Sequence, residues 1–206
     1  MKNNLTKRKV RSLESRKKIF ETAVHMIQKK GFDNVTVDEI CAKLQISKGL
    51  FYHFFYSKDE IVIEQFLDTD KAYKKIVEEK LKNYSGIDKL LKFTEYQYKY
   101  VKGYFMGRDL LKNIYRSSII NSKMAHSLTN EKRYLYKFLN ETIKEAQAKK
   151  ELPSDISTKK IASQVAILMR GIFYNWCLYE RGFHLEETGI EIILTFLNGL
   201  KHKVAL

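Results

Sequence analysis

Pro153 is the only proline in 206 residues, and nine glycines are spread through the rest of the chain. Proline and glycine are the residues that most strongly interrupt helices, so their scarcity leaves long stretches free to stay helical. No stretch alternates apolar and polar residues with the period of two that a half-buried strand needs. The sequence therefore predicts an all-α fold of about nine helices, broken near Gly31, Gly86, Gly103 to Gly107, Pro153 and Gly182.

Residues 1–11 read as a basic arm containing Lys7, Arg8, Lys9 and Arg11. A helical period starts at Ser12 or Ser15 and carries Ile19, Phe20, Ala23, Val24 and Ile27 on one face, ending at Gly31. Thr36 with Glu39 three residues on has capping-box spacing and predicts a second helix from Val37 to Leu44. Ser47 is a natural N-cap for a third helix, Lys48 to Phe54. Ser57, followed by Asp59 and Glu60 at the positive helix end, starts a fourth that should run unbroken from Lys58 to about Leu81.

Two short helices joined by the tight turn Gln45–Ile46 have the anatomy of a helix-turn-helix. Ile46, Phe51 and Phe55 belong inside, over Val37, Ile40 and Leu44. Ser47, Lys48, Gly49, Leu50, Tyr52 and His53 are left outside. The second helix of such a unit fits the major groove, where residues near its N-terminus meet base edges. Lys48 can donate to guanine acceptors or a phosphate, Leu50 can meet a thymine methyl, and Gly49 allows close backbone approach. Tyr52 and His53 suit the sugar-phosphate backbone or local packing, and Thr36 and Lys58, both at helix N-termini, suit phosphates. Formal net charge is +14, and residues 1–30 alone contribute +8 of it, beside this unit.

The stretch from Arg16 to Ile61 resembles the N-terminal domain of the tetracycline-repressor (TetR) family of bacterial transcription regulators. Arg16, Ile19, Ala23, Gly31, Phe32, Thr36, Ile40, Ser47, Gly49, Tyr52, Phe55, Lys58 and Ile61 carry the likeness. It implies the same DNA-contact roles at Thr36, Lys48, Gly49, Tyr52, His53 and Lys58. Gln45 replaces the usual turn glycine, which suggests a turn closed without a left-handed residue, and Phe54 stands where His or Tyr is usual. Residues 1–57 are then the DNA-binding domain with its arm, and residues 58–206 the effector-binding and dimerisation domain.

Beyond residue 81 the period predicts helices over about 87–102 and 110–115, a break at Ser117–Ser122, and a long helix from Ala125 to Lys150. Two further helices, about 157–180 and 185–201, are apolar around more of their circumference than one core requires. Ile161, Val165, Ile172, Cys177, Ile193, Phe196, Leu197 and Leu200 are expected at a homodimer interface. Tyr96, Tyr100, Tyr104, Tyr115, Tyr134, Phe138, Met169, Phe173 and Trp176 either fill the core or line an effector pocket. With Arg108, Arg116 and Arg170 nearby and no carboxylate clearly on these faces, the effector expected is apolar and neutral or weakly anionic.

The remaining features limit other functions. Cys41 and Cys177 are isolated, so neither a disulfide framework nor a zinc site is expected, and the resemblance puts Cys41 at the family's small alanine position on the second helix, as a buried inert thiol. His25, His53, His126, His184 and His202 are scattered without metal-ligand spacing. No glycine-rich phosphate loop or convergent acid pair suggests an enzyme, and no cofactor is called for. No apolar run approaches a membrane span, and the setting expected is the cytoplasm. The expected function is that of a DNA-binding transcriptional regulator, a repressor released from a palindromic double-stranded DNA operator by a small-molecule effector. The competing readings are a ligand-independent architectural DNA-binding protein, and a helical small-molecule-binding protein or enzyme without DNA binding.

Overall fold

The computed structural model describes residues 6–103, 107–179 and 181–201. Within them the chain is helical, with eleven helices and no strand among the described residues. It divides into two compact units, one ending at Leu67 and the other beginning at Asp68.

In the first unit α1 spans Lys7–Lys30, α2 Val37–Leu44, α3 Lys48–Phe54 and α4 Lys58–Leu67. Helix α1 begins at Lys7, earlier than the sequence suggests, because Thr6 is a competent N-cap whose hydroxyl accepts the Lys9 amide. Lys7, Arg8, Lys9 and Arg11 therefore belong to the helix and not to an extended arm. Ile19, Ala23 and Ile27, spaced at one turn, form its buried edge. They meet Phe32, Val35, Ile40, Phe51, Phe55, Ile61 and Val62 in one core. The Arg16 guanidinium lies 4.7 Å over the Phe55 ring and donates both its terminal nitrogens to Glu64, tying α1 to α4. That bond to Glu64 raises the Arg16 pKa further above its ordinary value.

In the second unit α5 spans Thr69–Lys80, α6 Gly86–Gly103, α7 Gly107–Ile120 and α8 Ser122–Thr129. Then come α9 over Tyr134–Ala148, α10 over Thr158–Leu178 and α11 over Leu185–Lys201. Helix α9 lies between α6 and α10, α10 packs on α7 and α11, and α11 returns to α6. The centre is aromatic: Phe93 and Phe138 sit 4.2 Å apart, Tyr73 meets Phe93 edge-on at 5.4 Å, and Tyr98 meets Phe173 at 5.3 Å.

Eleven helices replace about nine because two expected helices are each broken once. The fourth stops at Leu67 and resumes at Thr69. Asp68 between them keeps near-helical angles, its carbonyl accepts the Lys71 amide, and its carboxylate meets the Lys71 ammonium at 2.7 Å. Asp and Thr in succession favour a helix start over a helix interior. The expected helix from Ala125 to Lys150 is divided by Asn130 to Arg133. There the Asn130 side chain accepts the Lys132 amide, and Arg133, 8% exposed, is held by Asp70 and Thr69 of α5 and by the Ser127 carbonyl. The break expected at Ser117–Ser122 shrinks to Asn121, whose side chain caps α8.

The turn between α2 and α3 also corrects the sequence reading. Gln45 is left-handed, with φ 54° and ψ 44°. Its amide donates to the Ala42 carbonyl and that of Ile46 to the Cys41 carbonyl, the bonding of a Schellman cap. The family's usual glycine is missing, but the left-handed geometry is kept.

Candidate nucleic-acid interface

Both halves of the reading unit start at capped helix ends. At α2 the Thr36 hydroxyl accepts the Glu39 amide while Glu39 accepts the Thr36 amide at 2.9 Å, completing the capping box. Lys30 reaches across from α1 to the same Glu39 carboxylate at 2.8 Å, and this bond, foremost, holds its pKa below the usual range. At α3 the Ser47 hydroxyl accepts the Leu50 amide at 3.2 Å.

Between these anchors Phe51 and Phe55 are fully buried, which fixes the rotation of α3 about its axis. Ser47, Lys48, Gly49, Leu50, Tyr52 and His53 are consequently all exposed. Leu50 and Tyr52 stand out most: an apolar side chain 36% exposed and an aromatic one 49% exposed on a helix that buries Phe51. Tyr52 makes a T-shaped contact with Phe51, ring centroids 5.5 Å apart, so its ring is steered although the residue is exposed. His53 leans edge-on against the Phe54 ring at 4.8 Å. The six expected residues of this helix thus form one continuous surface.

Lys48 is paired on that surface. Its ammonium lies 2.7 Å from Asp38 of α2, and the hydrogen bond to Asp38 is the main reason its pKa is raised. Asp38 was not among the residues the sequence singled out; it stands in the first turn of α2, at the end of that helix away from the turn into α3.

Lys58 differs from expectation. Its ammonium folds back to donate to the Phe32 and Val35 carbonyls, the latter at 2.6 Å, and sits 3.9 Å from the centre of the Phe32 ring. In this arrangement its ammonium braces the loop into α2 and is not presented outward. Thr36 is exposed but its hydroxyl serves the capping box.

The aromatic residues of the second unit separate into two groups. Phe138, Met169, Phe173 and Trp176 are buried core residues. Tyr96, Tyr100, Tyr115 and Tyr134 are partly exposed, and Tyr104 lies outside the described residues. Tyr115 donates to the Arg170 carbonyl at 3.0 Å, and its phenol is pushed well above the usual range by burial. Arg108 lies 5.0 Å from the Trp176 ring and Arg170 donates to the Tyr136 hydroxyl at 2.8 Å. Two concavities formed by described residues lie elsewhere, and neither is lined by any of these aromatics.

The expected interface residues need correction. Ile161, Val165, Ile172, Cys177, Ile193 and Leu197 are buried within their own unit, and Phe196 and Leu200 are partly so. The outward face of α10 carries Ile167, Gly171, Tyr174, Asn175 and Leu178, with Ile167 55% and Leu178 58% exposed. Beside it a groove of about 750 Å³ runs between α10 and α11, lined by Ile167, Gly171, Tyr179, Phe183, Thr188 and Ile192 among others. Helical periodicity marked both faces of α10 as apolar and could not tell which one its own subunit covers.

Among the described residues no group of three His, Cys, Asp or Glu could hold a metal ion, and no helix is long and apolar enough to cross a membrane.

A capped helix-turn-helix with an unburied, mixed polar and apolar face on its second helix defines a DNA-binding regulator. The family comparisons make the assignment. Residues 19–64 match the model of bacterial regulatory proteins of the tetR family, and residues 87–202, more than half of the chain, match that of the C-terminal region of MAATS-type transcriptional repressors. The chain belongs to the TetR family of bacterial transcription regulators. It is 25% identical over 163 residues to the HTH-type transcriptional regulator UidR of Escherichia coli, covering 77% of this chain and 79% of UidR. It is also 25% identical over 166 residues to the uncharacterized HTH-type transcriptional regulator YerO of Bacillus subtilis, but that match spans only 55% of YerO against 79% of this chain. Its fold is shared with a transcriptional regulator from Saccharomonospora viridis solved in complex with choline, at TM-score 0.66 and 21% identity, over 90% of this chain and 96% of that one.

Proposed function

We propose that the protein is a homodimeric repressor that binds a palindromic double-stranded operator and is released from it by a small-molecule effector. The observation that carries the DNA-binding part is the α3 surface, where Ser47, Lys48, Gly49, Leu50, Tyr52 and His53 are all exposed above a core that fixes the helix's rotation. Labour divides along the two compact units. The first, closed by α4, reads DNA, while the second binds the effector and dimerises.

Two-fold symmetry requires half-sites related by inversion, about one helical turn or ~34 Å apart, or a multiple of it. The exposed stripe Ile167, Gly171, Tyr174 and Leu178 supports dimerisation through α10, since its spacing of four and three residues is that of helix-on-helix packing. The effector is an apolar molecule, neutral or weakly anionic. Arg170 and Arg108, each held against aromatic rings or hydroxyls of the second unit, support that chemistry.

Selection from a random duplex pool, followed by mobility shifts across a salt series, tests the DNA-binding part. The expected result is an inverted repeat bound by a dimer, with affinity falling steeply as salt rises. Binding of every duplex with equal affinity at all salt concentrations would sink it.

A further inference from the structure

We propose, resting on that DNA-reading role, that Asp38 is a specificity-determining positioning residue: it holds Lys48 for base edges and withholds it from phosphates. The Asp38 carboxylate and the Lys48 ammonium are 2.7 Å apart, and both side chains are largely exposed, 64% and 61%. The pair therefore belongs to the surface offered to DNA. Asp38 is anchored in the first turn of α2, where the helix dipole favours a carboxylate. Lys48 occupies the first turn of α3. The pair links the start of α2 to the start of α3.

Opposite charges at contact distance cancel at the range over which a phosphate backbone acts. A paired Lys48 therefore contributes little to the counterion release that drives sequence-independent binding. Whether the pair parts or stays together, a phosphate gripped by Lys48 brings its negative charge up against the Asp38 carboxylate, which repels it. At a base edge the pair can stay together. An ammonium has three donors, so two remain for guanine O6 and N7 while one stays with Asp38. Asp38 keeps acceptor capacity for a cytosine amino group. The pair thus penalises phosphate-only binding and tolerates matched bases, which is a specificity device acting through repulsion.

The test compares a duplex selected from a random pool with an unrelated duplex of equal length, using the full-length protein. Asp38→Asn is expected to strengthen binding to the unrelated duplex several-fold. It should also steepen its log–log salt dependence by about 0.9 for each phosphate newly neutralised. The ratio of selected to unrelated affinity should fall. Asp38→Glu, which retains the charge, should recover most of that ratio. In Asp38→Asn combined with Lys48→Met the slope should return to the wild-type value, because the freed cation is gone. A parallel loss of both affinities in Asp38→Asn, or a steeper slope that persists without Lys48, would overturn the assignment. Failure of the wild-type protein to prefer any duplex would instead remove the DNA-reading role on which it rests.

Discussion

Tyr98 on α6 fills the space that a side chain at Gly189 on α11 would need. A β-carbon at 189 would lie 2.5 Å from the Tyr98 hydroxyl oxygen and 2.6 Å from its Cε2. The two helices can approach closely only because one partner has no side chain. Gly189→Ala is therefore expected to destabilise the second unit by about 1–3 kcal/mol through overpacking, measured by denaturant unfolding. Tyr98→Phe should not rescue it, since the ring carbon alone would still collide.

The same tyrosine supplies a stabilising substitution. Its hydroxyl is buried with no hydrogen-bond partner among the described residues, and burial pushes its pKa far above the usual range. Leaving a buried hydroxyl unpaired costs about 1–3 kcal/mol. In an otherwise wild-type background Tyr98→Phe should keep the ring contact with Phe173 and raise the unfolding midpoint. A lowered midpoint would show that the hydroxyl has a partner.

Gln45 holds a left-handed conformation that glycine adopts without steric cost. Gln45→Gly is expected to stabilise the first unit by up to about 1 kcal/mol, less the added freedom of the unfolded chain. DNA affinity should stay unchanged, because the Schellman bonds do not depend on that side chain. Thermal melts and mobility shifts on the same preparation check both halves of the expectation.

How much was readable from sequence depends on how far each cause reaches along the chain. The Thr36–Glu39 capping box and the Ser47 cap act within three residues, and the spacing of Phe51 and Phe55 fixes one helix face. These features gave the reading helix and its exposed residues. The break at Asn130 to Arg133 depends on Asp70 and Thr69, over 60 residues away, and Lys58 turns inward because the Phe32 and Val35 carbonyls lie within its reach. Neither partner is visible in a local pattern. For α10, Ile161, Val165 and Ile172 on one face and Ile167, Tyr174 and Leu178 on another are equally apolar, so only packing shows which is covered.

Cys177 tests burial by chemistry. Its thiol is pushed up to about 11 by burial, and Cys41 is raised for the same reason. Thiolate is the reactive form, so both cysteines should resist a disulfide reagent at pH 8 in the native protein and react once it unfolds. The linkage sign follows: a folded pKa above the unfolded value means that the folded state keeps the proton longer. Stability should be fully present below pH ~8.5 and decline as pH rises toward 11. Cys177→Ser should flatten that decline.

The two lysines of the reading unit should respond differently to truncation. Lys58 is committed to two carbonyls of its own chain, so Lys58→Ala should lower the stability of the first unit by about 1–3 kcal/mol. The salt slope of the protein that remains folded should stay unchanged. Lys48→Ala should leave stability nearly as it was, because an exposed ion pair contributes little, but it should change which duplexes are preferred. Identical behaviour of the two variants would contradict the structural distinction between them.

The two apolar faces of α10 and α11 make opposite predictions for a charge. Leu197 is fully buried inside its own subunit, so Leu197→Glu should abolish folding, seen as loss of the cooperative melt. Ile167 is 55% exposed, so Ile167→Glu removes nothing from that core and should leave the helical content and the melt of the isolated subunit intact. At the centre of a two-fold interface the same glutamate would meet its symmetry mate or an apolar surface. Sedimentation should therefore show folded monomers for Ile167→Glu, with binding to an inverted repeat lost and binding to a half-site retained weakly. A dimer that persists would place the two-fold axis on another face of the second unit.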